Sequence, residues 1–317
     1  MKKGLIGLLI ICLLVFVSIY IFIPDNLVIS KITLVKVNQN GSYRILADEN
    51  QWGKWWPSFS KQDSLSFKVL KAYNYKNISY SINNKMDHAV GILIKNKDFE
   101  INSIINILSL SIESVAIEWK CELPSDSNPV KKIIDYLHAK KIKNNMADIL
   151  NNLQAFLNKQ ENIYGIHIEQ TKVEDTFLIS TKSITTNYPS ISSYYDLIKN
   201  LKKYISGQDA KQTGYPMLHV QAIDSIRYET MVAIPVNKQI PDSGSFLFKR
   251  MLAGAKILIT EVKGGSYIIN QALTQFENYK EDCELASPAI PFESLVTDRS
   301  KETDTTKWVT KIYYPIY

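Results

Sequence analysis

Only three cysteines occur in the 317 residues, Cys12, Cys121 and Cys283, and none forms a C-x-x-C pair. A disulfide framework and a cysteine-based structural zinc site are thereby excluded as organising devices. Histidine is as sparse: His88, His138, His167 and His219 show no H-x-x-x-H or H-E-x-x-H spacing, so no metal site is expected. There is no G-x-S-x-G elbow, no cysteine-nucleophile signature and no G-x-x-x-x-G-K-S/T loop, and no cofactor is implied. Charge of one sign is also scarce. Lys plus Arg at 37 against Asp plus Glu at 31 leaves +6, with the lysines scattered along the chain. That gives no electrostatic footprint for nucleic acid.

What is present begins with a long apolar run. Gly4 to Ile23 carries no charge, follows Lys2 and Lys3, and closes on Pro24-Asp25-Asn26. Twenty residues at helical rise match a hydrocarbon thickness of about 30 Å. The run ends Tyr20-Ile-Phe-Ile23-Pro24, without the small residues of a signal-peptidase site, and Cys12 lies in mid-span rather than in a lipoprotein context. Residues 1–26 are therefore expected to be an uncleaved membrane anchor. By the positive-inside rule, the amino terminus is cytoplasmic and the rest of the chain lies on the outer, periplasmic side.

Leu27 to Val37 is β-branched and alternating, which predicts a strand, and Tyr43 to Asp48 reads as a short helix before Trp52, Trp55 and Trp56. Runs at 67–73, 78–82, 90–94 and 114–121, separated by Asn, Asp and Lys turns, predict an antiparallel meander. Val130, Ile133, Ile134, Leu137, Ile142, Met146, Ile149, Leu150, Leu153, Phe156 and Leu157 recur at steps of mainly three and four. They predict one long helix with a single apolar face. Its lysines, Lys131, Lys132, Lys140, Lys141 and Lys143, read as a solvated face, with anionic lipid headgroups the alternative.

The strand Val28 to Val37, the segment Asp48-Glu-Asn-Gln-Trp-Gly-Lys-Trp-Trp-Pro57, the sheet and the long helix together resemble the SRPBCC (START-like, polyketide-cyclase-like) superfamily over residues 27–160. The resemblance implies an antiparallel sheet gripping a C-terminal helix around an apolar cavity, hence a hydrophobic ligand. The alternative is a cavity filled by the protein's own side chains, with the tryptophans as core.

Residues 161–317 contain an internal echo. Phe177 to Thr181 followed by a helix over 190–205 is matched by Lys256 to Glu261 followed by a helix over 266–280. Each helix leads to a Pro-containing strand, at 215–220 and 287–296, and then to a strand that closes on a proline, at 227–236 and 307–316. Two strand-helix-strand-strand copies joined by Asn237 to Gly244 predict a pseudo-twofold unit with a ligand cleft where the copies meet.

Ala233-Ile-Pro-Val-Asn-Lys-Gln-Ile-Pro-Asp242, Lys249 to Gly254, Thr260 to Gly265 and Trp308 to Ile316 resemble the GyrI-like small-molecule-binding domain, the effector-binding domain of AraC-type regulators. The resemblance implies a cleft glutamate among aromatics that receives lipophilic cations. Glu293 falls at that position, and Tyr228 at a cleft aromatic. Lys311 stands where many relatives carry a second acidic residue, which turns the expectation toward a neutral or anionic ligand. Lys311 or Arg299 is also a possible salt-bridge partner that would occupy Glu293. Glu261 is a second cleft candidate, and Gly264-Gly265 reads as a helix start.

The chain is thus expected to be α+β: an anchor (1–26), an SRPBCC-like domain (27–160) and a GyrI-like domain (161–317). It is expected to bind small amphipathic or hydrophobic molecules at Glu293, Tyr228 and Glu261, without DNA. The GyrI-like resemblance also implies an alternative, a membrane-tethered hydrolase in which Glu293 and Tyr228 activate water.

Overall fold

The computed structural model describes residues 2–57, 72–174, 176–287 and 289–317; in the first helix the side chains of residues 2–5, 8, 9 and 12 are not described. The chain divides into two compact units, Met1–Lys159 and Gln160–Tyr317. Both are α+β with antiparallel sheets.

The first unit begins with α1 (Lys2–Phe22) and continues through β1 (Asn26–Val35), α2 (Gln39–Ala47) and α3 (Glu49–Trp52). β2 (Tyr73–Tyr75), β3 (Ile78–Met86), β4 (Ala89–Lys95), β5 (Glu100–Ser111), β6 (Ser114–Pro124) and α4 (Pro129–Leu157) follow. Among the described residues no helix is long and apolar enough to cross a membrane. Most of the described α1 side chains, among them Ile10, Leu13, Leu14 and Phe22, are exposed, with Ser18 and Ile19 partly covered. Most of the run expected at 67–73 lies outside the described residues.

Successive hairpins build the sheet in the order β1-β6-β5-β4-β3-β2, with β1 returning to pair the last strand. Lys76 and Asn77, both at positive φ, make the tight β2–β3 turn. Side-chain caps from Asn38, Asp48 and Asn128 start α2, α3 and α4.

Trp52, Trp55 and Trp56 are core, each at most 5% exposed. Trp52 stacks on Trp56 with centroids 5.2 Å apart, Trp56 meets Tyr80, and Tyr80 meets Trp119. The indoles of Trp52, Trp56 and Trp119 donate to Leu46 O, Asn74 O and Ser103 Oγ. Asn145 of α4 donates to Tyr80 Oη at 3.1 Å, so α4 closes directly on this aromatic column.

α4 corrects one expectation. It does not carry a single apolar face. Ile142, Met146, Ile149, Leu150, Leu153 and Leu157 are buried, whereas Val130, Ile133, Ile134 and Leu137 are 40–65% exposed. From Leu137 to Ile142 the apolar pattern steps by five, and at 100° per residue this swings it to the other side of the helix. Lys132 is likewise no surface charge: its stem is buried, and its ammonium meets Asp25 at 2.5 Å.

The second unit runs α5 (Gln160–Tyr164), β7 (Glu169–Lys172), β8 (Thr176–Thr185), α6 (Ile191–Gly207), β9 (Met217–Ala222) and β10 (Tyr228–Val236). It continues with β11 (Leu247–Met251), β12 (Lys256–Lys263), α7 (Ser266–Asp282), β13 (Phe292–Leu295) and β14 (Val309–Ile316). The eight-stranded order β11-β8-β10-β9-β13-β14-β12-β7 reads the same from both ends under exchange of the two copies. Two strands escaped the sequence reading. β7 precedes the first copy yet pairs with β12 of the second, and β11 precedes the second yet pairs with β8 of the first. The expected linker at 237–244 therefore leads into a strand.

Pro235 and Pro315 occupy equivalent places on β10 and β14, each past the last residue paired with the short middle strand. A missing N–H costs no ladder bond there. α6 buries Tyr194, Ile198, Leu201 and Ile205 against Leu218, Val232 and Ile234. α7 buries Ile269, Ala272 and Phe276, with Phe276 stacked on Tyr314 at 5.7 Å. α7 starts after Gly264, whose φ of +146° suits glycine alone and whose added Cβ would lie 2.7 Å from Ile268.

Candidate functional site

The two copies meet where β9 pairs β13, with Glu293 directly opposite Leu218. Leu218 pairs Val232 of β10, and Glu293 pairs Ile312 of β14. Glu293 and Leu218 are thus the same residue of the two copies, placed face to face on the pseudo-twofold axis. A cavity of about 70 Å³ lies over them, between the first turns of α6 and α7. Tyr188, Tyr194, Ile269, Arg299 and Trp308 are among its walls.

Arg299 fills the centre of this site. Its Nη2 donates to Glu293 Oε2 at 2.7 Å and to Thr310 Oγ1 at 2.8 Å, and the guanidinium lies 5.0 Å from the Trp308 ring centroid. The Arg299 and Glu293 side chains are 5% and 15% exposed. Burial works against the guanidinium's charge, but Glu293, and after it the Tyr194 hydroxyl, outweigh it and hold Arg299 above its ordinary pKa. Arg299 Nε is buried with no partner among the described residues.

The loop that carries Arg299 is itself fixed. Its backbone N–H donates to Tyr195 Oη of α6 at 2.6 Å, and Trp308 Nε1 donates to Glu302 O. Burial raises the hydroxyl pKa values of Tyr188 and Tyr194; Glu293 adds to the rise at Tyr188, whereas Arg299 opposes it at Tyr194. Burial pushes Tyr195 up to about 12.

The sequence candidates fall in three places. Glu293 lines the cavity. Tyr228 stands one ring behind the wall, edge-on to Tyr188 at 5.6 Å. Glu261 lies elsewhere: alternation along β12 puts it with Ile257 and Ile259 on the face away from the helices, where it is half exposed and 3.8 Å from Lys311. Lys311 is therefore not the partner of Glu293; Arg299 is.

Tyr188, Tyr194 and Trp308 were missed as site residues. Nothing in their local sequence distinguishes them from core aromatics, since only the meeting of the two copies brings them together. Chemically, the arrangement is a neutralised carboxylate with hydroxyl and N–H donors around it. Among the described residues no group of His, Cys, Asp or Glu is placed to hold a metal ion. The helix-free face of the same sheet carries a second, open depression of about 750 Å³, with Met217, Pro235, Ile257 and the stacked pair Phe292 and Tyr313 in its wall.

No protein-family profile matches the chain, and no curated protein does. Solved structures are similar to it. The C-terminal domain of EcmrR matches at 17% identity, over 48% of this chain and 98% of that one, with a TM-score of 0.41. SAV2435, in a structure bound to tetraphenylphosphonium, matches at 14% identity over 48% and 94%, with a TM-score of 0.31. The ZhuI aromatase/cyclase from a Streptomyces species matches at 7% identity over 41% and 92%, with a TM-score of 0.28.

Proposed function

We propose that the second unit is a GyrI-like small-molecule-binding module whose ligand seats on the axis between the two copies, and that the first unit is an SRPBCC-like domain tethered to a membrane by α1. The observation that carries the first reading is the pairing of buried Arg299 with the mostly buried Glu293 in an aromatic-walled cavity at the junction. A fold gains little from such a pair over apolar packing, whereas a ligand site uses it for orientation. Because Arg299 already neutralises Glu293, the site disfavours a cation. Its unpartnered Nε calls instead for a ligand with an acceptor oxygen or a negative charge. A cavity of about 70 Å³ holds only one or two waters, so a ligand enters by displacing the exposed Tyr188 ring. Hydrolysis has less support, since the carboxylate is engaged and Tyr228 stands behind the wall.

The depression on the helix-free face is a second reading, favoured by a volume in the usual range for ligand pockets. A thermal-shift comparison of the full chain in detergent, using tetraphenylborate and tetraphenylphosphonium as anion and cation of one shape, separates the cases. Stabilisation by the borate that is lost in Glu293→Leu with Arg299→Met supports the axis site. Borate stabilisation that survives there but is lost in Tyr313→Ala supports the other face. Stabilisation by the phosphonium alone in the unmodified chain defeats the charge argument. A ligand at about 100 times its Kd contributes ~2.7 kcal/mol, which such an assay resolves.

The tether rests on Gly4 to Ile23, uncharged and long enough for a bilayer. A C-terminal reporter that works only outside the cytoplasm tests the proposed orientation; activity of a cytoplasm-only reporter reverses it.

A further inference from the structure

Val130, Ile133, Ile134 and Leu137 stand at i, i+3, i+4 and i+7 on α4, a complete apolar stripe that the first unit leaves exposed. One turn further on, the same stripe continues into Lys140 and Lys141, both exposed. The acidic side chains nearby already have partners: Asp135 accepts from Asp126 N–H, Asp126 accepts from Asn128 N–H and pairs with Lys131, and Asp25 pairs with Lys132. An apolar stripe ending in lysines is the pattern of a helix lying in a bilayer interface, its aliphatic side chains among acyl chains and its ammonium groups at anionic headgroups.

The position of the stripe in the fold selects this occupant. β1 and β6 pair from Asn26 opposite Pro124 to Val35 opposite Val115, so the end of α1 and the start of α4 emerge at the same end of the sheet. They are tied there: Ser125 N–H donates to Asp25 O at 2.9 Å, Tyr20 Oη donates to Ser127 O at 2.8 Å, and Lys132 reaches both Asp25 and the Tyr20 ring. Another exposed apolar tip, Leu110 and Ile112 at the β5–β6 turn, lies at the far end of the same strands.

We propose that the first turns of α4 are a membrane-contact element, in which Val130, Ile133, Ile134 and Leu137 enter the interface of an anionic bilayer while Lys140 and Lys141 pair with its headgroups. The proposal draws on α1 as the tether, and the experiment separates the two. The full chain is reconstituted into vesicles of phosphatidylcholine and phosphatidylglycerol with p-benzoylphenylalanine replacing, one at a time, Leu14, Leu110, Ile134 or Leu137. Adducts formed on irradiation are identified by mass. Lipid adducts at 134 and 137, with none at 110, are expected, and their yield should fall several-fold in Lys140→Glu with Lys141→Glu. Absence of lipid adducts at 134 and 137, or adducts there to a second protein chain, overturns the proposal. Position 14 reports only on α1: lipid adducts at 14 without any at 134 and 137 leave the tether standing and the stripe refuted. Lipid at 134 and 137 without lipid at 14 upholds contact and removes the spanning helix.

Discussion

The two copies of the second unit share a backbone and differ in chemistry. On the axis one copy contributes Leu218 and the other Glu293. The next equivalent pair shows the same divergence: Thr310 Oγ1 accepts from Arg299, whereas Thr230 Oγ1 is buried without a partner among the described residues. The helix starts differ too, with Ser190 capping α6 through its side chain and Gly265 opening α7 without a side-chain cap. The two copies repeat one frame, and the Glu293–Arg299 ion pair belongs to the second alone. On the proposed reading, a molecule on the axis would meet hydrocarbon from one copy and donors from the other, as an amphipathic ligand requires.

The sharpest way to break this asymmetry is at Arg299. Arg299→Met strands the Glu293 carboxylate in a buried site, and a loss of about 3–5 kcal/mol is expected from denaturant unfolding of the full chain. Adding Glu293→Leu gives the second copy the residue the first already has at Leu218, and most of that loss should return. If the double variant is as unstable as the single one, the cost belongs to the loop and not to the stranded charge.

A smaller effect is expected at the start of α7. Gly264→Ala sets a Cβ 2.7 Å from Ile268 at a φ of +146° and should cost about 1–3 kcal/mol. The first copy has Pro189 just before its cap at Ser190, so no such sensitivity is expected there. Unfolding of Gly264→Ala beside Pro189→Ala measures the difference; equal losses would mean that the two helix starts are equivalent.

The smallest effect is alkaline. Tyr195 titrates near 12 in the folded chain and near 10 when unfolded, so its stabilising effect is whole below about pH 10 and is lost as pH rises toward the folded value. From about pH 9 to about pH 10.5 this amounts to ~1 kcal/mol or less. Unfolding midpoints of the unmodified chain and Tyr195→Phe, measured across that range, should converge as pH rises. Parallel curves would show that other groups set the alkaline limit.

Much of the frame was legible in the chain. The alternation at 27–37 placed β1, and the echo between 177–205 and 256–280 gave both strand-helix starts, because periodicity and turn chemistry act locally. β7 and β11 were not legible, since each is short and owes its existence to a partner in the other copy. The α4 stripe was mistaken for core because steps of three and four look alike until a step of five is counted against the helical turn.

The sequence alone determined what is local: an uncharged run of bilayer length, the duplicated elements and the glycine at a helix start. Tertiary structure decided what depends on distance. It chose Arg299 over Lys311 as the partner of Glu293, because alternation sends Lys311 to the opposite face of the sheet. It removed Glu261 from the site for the same reason, and it brought Tyr188, Tyr194 and Trp308 around the axis. A side chain's place on a strand is set by its neighbours in sequence, but its partner is set by which strand lies alongside.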